Sequence, residues 1–126
     1  MDGNGLMKMV HDAARHAAAR QAQIARNVAN ADTPGYRAQG IGSFADTLRE
    51  PVTPLRRTRP GHLPPTDGGI GATRATPRAS AASPNGNTVS LETEMMHATA
   101  AKAEHDTALS IYSSARQILG ATLGRR

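Results

Sequence analysis

Glu94 and His97 form the one spacing in this 126-residue chain that invites metal or acid–base chemistry. A Glu-x-x-His pair puts both side chains on one face of a helix and supplies half of a carboxylate-bridged di-iron site. The other half is missing: His11 and His16 are five residues apart, and His105 has no acid three residues before it. No serine has a His and Asp arrangement around it, and Gly68, Gly69 and Gly71 lack the spacing of a phosphate-binding loop. The absence of cysteine removes thiolate nucleophiles, disulfides and sulfur-ligated zinc. The residues therefore predict no catalysis, no cofactor and no metal.

Composition points the same way. Hydrophobic residues are 38% of the chain, but 23 of them are Ala, and Leu, Ile, Val and Phe together number only 18. With no Trp, one Phe and two Tyr, the large rings that fill most enzyme cores are nearly absent. The formal charge is +5, and Arg56, Arg57 and Arg59 make a small basic cluster suited to phosphates or an acidic neighbour. Binding of nucleic acid by a small basic protein is the alternative reading. It lacks the aromatics that stack on bases, and no nucleic-acid partner is expected. No secretory signal is visible in the first ten residues, and no stretch approaches the roughly 20 apolar residues of a membrane span.

All eight prolines lie between Pro34 and Pro84, dividing the sequence into helical ends and a different middle. Apolar or small residues recur at Met7, Val10, Ala14, Ala17, Ile24, Val28 and Ala31, a narrow seam predicting a helix over about 6–31. A second helix is predicted over 90–123, opened by Ser90 as N-cap with Glu92 and Glu94 in its first turn. From Ala101 its apolar face takes in Ala108, Leu109, Ile111, Tyr112, Ala115, Ile118, Leu119, Thr122 and Leu123, and Arg125 and Arg126 suit its negative end. The long connection allows either a parallel or an antiparallel pairing. The fold class is therefore all-α: two long terminal helices paired like a coiled-coil hairpin around an irregular middle rich in Pro, Gly and Arg. The divisions are 1–36, 37–89 and 90–126.

In the middle, the large apolar residues are few: Ile41, Phe44, Leu48, Val52, Leu55, Leu63, Ile70 and Val89. Their burial does not offset the entropy of fixing so many backbones, so this segment is expected to be flexible. A short helix over 43–50 is the local exception, with Ser43 as cap, Asp46 three residues on, and Phe44 and Leu48 on one face.

The strongest local signal is Asn27-Val28-Ala29-Asn30-Ala31-Asp32-Thr33-Pro34-Gly35-Tyr36. Pro34 presets φ at the first central turn position, Gly35 tolerates positive φ at the second, and Pro34 pushes Thr33 out of helical conformation. The helix must stop here. Asn30 and Asp32 can bond backbone groups freed at the stop, and Tyr36 can lay its ring against the last turn.

This stretch resembles the N-terminal signature of the flagellar basal-body rod proteins, through Asn27, Asn30, Thr33, Gly35 and Tyr36. Ala31 to Tyr36 are closest in wording to the proximal rod subtype, the FlgB family. Asn87-Thr88-Val89-Ser90-Leu91-Glu92-Thr93-Glu94-Met95-Met96 resembles the start of that family's C-terminal helix. The resemblance implies a structural subunit of the bacterial flagellum, exported by the flagellar type III apparatus without a cleaved signal. It would assemble helically in the periplasmic rod with copies of itself, other rod subunits and ring or adaptor components, and transmit torque for motility. Under it, Val10, Ala17, Ile24 and Val28 are expected to face Ile111, Ala115, Ile118 and Leu119, or their equivalents on adjacent subunits. Leu91, Met95 and Tyr112 belong to the same packing set, and Asn27 to Tyr36 fix the exit geometry.

Overall fold

The computed structural model describes residues 3–49, 58–59 and 74–124. Arg56, Arg57, the glycines at 68, 69 and 71, Arg125 and Arg126 lie outside the described residues, as do Val52, Leu55, Leu63 and Ile70. The chain runs α1 (Gly3–Ala29), β1 (Gln39–Gly40), α2 (Phe44–Arg49), β2 (Thr76–Pro77) and α3 (Leu91–Leu123). It is an all-α molecule in which two long helices pack along each other, with a two-strand antiparallel ladder, Gln39 opposite Pro77 and Gly40 opposite Thr76, beside them.

Helix α1 starts earlier and stops earlier than its apolar seam suggested. Its end is tightened by short-range bonds: Asn30 N–H is shared between the carbonyls of Arg26 and Asn27, both at 3.1 Å, and Ala31 N–H reaches Val28 at 3.2 Å. Helix α3 begins as expected. The Ser90 hydroxyl accepts from Thr93 N–H at 3.4 Å and donates to Glu92 at 3.0 Å. The Glu92 carboxyl is held below its ordinary range, first by its own backbone N–H and then by Ser90. Gly124 closes the helix with a bond to the Gly120 carbonyl. In α2, Ser43 caps as expected, but Phe44 and Thr47 form the inner face while Leu48 is half exposed.

The helix pair is antiparallel. Near the turns, Asn87 bonds to Asn30, and further along Arg20 Nη1 donates to both Glu104 oxygens at 2.6 Å. As one helix is followed backward, the other is followed forward. This register sets Ile24 level with Ala101, Ala17 with Ala108 and Val10 with Ala115. All of these are buried except Ala115, which is half-buried. Both rows repeat every seven residues, the period of a coiled-coil seam. Alanine on one side lets the helices approach closely, but it buries little area per contact.

Within one chain the alanine row, rather than the large residues of α3, lines the seam. Ile111, Tyr112 and Leu119 flank the seam and remain 45%, 38% and 40% exposed, and Ile118 is 65% exposed. Val28 on α1 and Leu91 and Met95 at the start of α3 also face solvent. Two helices alone cover one narrow row each, so the side chains three and four residues to either side stay open.

Candidate functional site

The turn that ends α1 is built as its residues predict. Tyr36 N–H bonds to the Thr33 carbonyl at 3.2 Å across Pro34 and Gly35, and Gly35 has φ +72°, which makes a type II turn. Asn30 Nδ2 donates to the freed Arg26 carbonyl at 2.8 Å, and Thr33 Oγ1 donates to Asn30 Oδ1 at 3.1 Å. Asp32 and Pro34 are exposed, and Asp32 makes no side-chain hydrogen bond among the described residues.

Asn27, fully buried on the last turn of α1, is the hub. Its Oδ1 accepts from Gln23 Nε2, Tyr36 Oη and the Gln39 backbone N–H, each at 3.2 Å. Its Nδ2 donates to the Gln39 carbonyl at 2.7 Å. One amide therefore ties the helix, the turn and β1 together, and fixes the direction in which the chain leaves.

A second turn, 83–87, docks on the first. Asn87, also buried, donates through Nδ2 to the carbonyls of Asn30 at 2.9 Å and Thr33 at 2.8 Å, and accepts from Val89 N–H at 2.8 Å. Gly35 N–H reaches the Asn85 carbonyl at 2.9 Å, and Thr88 N–H the Tyr36 carbonyl at 3.0 Å. Gly86 has φ +82°, and a Cβ there would sit 3.3 Å from Gly35 Cα. Two glycines in left-handed conformations thus let two backbones touch. Asn87 and Gly35 come from the two motifs noted in the sequence, and here they form one unit.

Beyond the turns, Thr88 Oγ1 accepts from Ala38 N–H at 2.8 Å, and Arg78 N–H bonds to the Ala38 carbonyl at 2.9 Å. Arg78 then reaches α3, donating to Glu94 Oε1 at 2.8 Å. The Glu94 side chain is only 2% exposed, and its Oε2 has no partner among the described residues. Gly40 allows this, since a Cβ there would meet the Arg78 guanidinium, with Cζ at 2.9 Å. Beside the pair lies a cavity of about 270 Å³ whose walls include Thr88, Ser90, Glu94 and His97. Burial, and then the Arg78 cation, lower the pKa of His97.

The Glu-x-x-His pair is therefore a structural feature of the clasp, with Arg78 as the partner of its carboxylate. Arg78 and Asn87 were not singled out by spacing. Asn87 stood inside a motif, but nothing local marked it as the contact to Thr33, 54 residues away. Arg78 read as one of many arginines in a charged segment.

Residues 12–37 match the family model described as flagella basal body rod protein. The match spans the second half of α1 and the whole Asn27-centred turn. No curated protein matches the chain significantly. The helix exit and turn are thus similar in sequence to those of flagellar basal-body rod proteins.

Proposed function

We propose that this chain is a structural subunit of the flagellar basal-body rod, of the proximal type, built into the assembly through its two terminal helices. One observation carries the reading: the segment matching the rod family coincides with the turn, anchored by buried Asn27, that sets how the chain leaves α1, and the second rod-like motif closes onto it through Asn87. The open flanks of the seam support it. Ile111, Ile118, Leu119 and Leu123 are exposed on α3, and a groove of about 710 Å³ runs between Ile24 and Val28 on one side and Ala98 and His105 on the other. Neighbouring rod subunits would fill these surfaces, completing burial that two helices cannot achieve alone.

In this reading the chain leaves the cell through the flagellar type III apparatus, sits in the periplasmic rod beside other rod subunits and ring or adaptor components, and carries torque as a passive strut. No helix of the described residues is long and apolar enough to cross a membrane. Deleting the gene and imaging isolated basal bodies by electron microscopy tests the proposal. Rods lacking their membrane-proximal part, restored by complementation, are expected. Complete rods in the deletion strain would overturn it.

A further inference from the structure

Helix α2 lies against the helix pair through two described side-chain contacts, and both end on His16. The Phe44 ring meets the His16 ring edge-on, with centroids 5.6 Å apart at 62°, and Thr47 Oγ1 lies 3.4 Å from His16 Nε2. No residue of α2 is buried, whereas His16 is 3% exposed. The aromatic contact and the side-chain polar contact of this short helix with α1 thus converge on one buried imidazole.

The surroundings of this imidazole suit its neutral form. The Thr47 hydroxyl also donates to the Ser43 carbonyl at 3.1 Å, which leaves its oxygen free to accept from His16 Nε2–H. His16 Nδ1 is left as a buried lone pair with no partner among the described residues. A second proton would create a buried cation one helical turn from Arg20.

From this geometry we infer that α2 is a proton-released flap: it docks on α1 while His16 is neutral and detaches when His16 becomes charged. The charged groups around His16 are Asp12 and Arg20 on α1, Glu104 on α3, and Asp46 and Arg49 on α2. Glu104 and the Gly42 carbonyl favour the cation, but burial, followed by Arg20, outweighs them and lowers the His16 pKa. Asp46 and Arg49 are mostly exposed and oppose each other across 4.0 Å. In this reading docking adds to the burial that lowers the His16 pKa, so α2 docks best on the neutral imidazole and docking weakens as pH falls through the His16 titration. Each unit between the free and docked pKa weakens docking about tenfold. Release uncovers the His16 face of α1 and frees the one Phe in the chain.

NMR on the full chain from pH 8 to pH 4.5 tests this directly. Phe44 gives an unambiguous signal, and the histidine Hε1 resonances report each titration. The expected result is loss of Phe44-to-α1 Overhauser contacts and of helical Cα shifts over 44–49, with the midpoint of the His16 titration. The His16→Phe variant keeps an aromatic partner but cannot charge, and should hold α2 in place at pH 5. Contacts that persist after His16 has titrated, a loss tracking another histidine, or parallel release in His16→Phe would each overturn the inference.

Discussion

The two ends of the helix pair are held by different physics. At the turn end, Asn27, Asn87 and the Arg78–Glu94 pair make a dense set of directed bonds that accept one geometry. Along the shafts, Val10, Ala17 and Ile24 meet a row of alanines, with large apolar side chains standing open on either flank. Polar networks specify shape, while thin apolar seams permit sliding and regrouping. A molecule built this way is rigid where the chain turns and unfinished where it runs straight.

Substitutions that break the contrast should rank accordingly. Arg78→Ala leaves a buried carboxylate unpaired and should cost about 3 kcal/mol in urea unfolding followed by helical circular dichroism. Asn27→Ala strands donors and acceptors on the turn and β1, some of which can reach water, for a loss of about 2 kcal/mol by the same measurement. Gly86→Ala forces a side chain into left-handed backbone against Gly35, about 1 to 2 kcal/mol, visible as a lowered urea midpoint. Ile118→Asp sits on the open flank and should change monomer stability by no more than about 0.5 kcal/mol. Yet strains carrying it should lack complete rods by electron microscopy. A large stability loss from Ile118→Asp, or none from Arg78→Ala, would erase the distinction between the two ends.

The elements themselves were legible in the sequence because their signals are local. Seam periodicity gave both long helices, Ser90 the cap of α3, Ser43 the cap of α2, and Pro34-Gly35 the turn. The partnerships were not. Asn27 bonds to Gln39 twelve residues on, and Arg78 to Glu94 sixteen residues on, and neither spacing carries a pattern. Two-residue strands are too short to show alternation. Counting apolar residues in the middle segment carries no information about backbone hydrogen bonds at its edges. The α3 face holds both alanines and large apolar residues, and periodicity alone does not say which of them line the seam; the alanines do, because small residues permit the closest approach.

The pairing of Gln39 with Pro77 and Gly40 with Thr76 has a consequence for variation. It brings the two strands of the chain together at a neck, so that the two ends of the intervening pendant, whose first part α2 rests on α1, are closed at a fixed collar. Closing a longer pendant costs only slowly more entropy, about 0.6 kcal/mol for each doubling of its length. Evolution could therefore resize or replace that appendage freely, fitting it to different surroundings while the paired shafts kept their register.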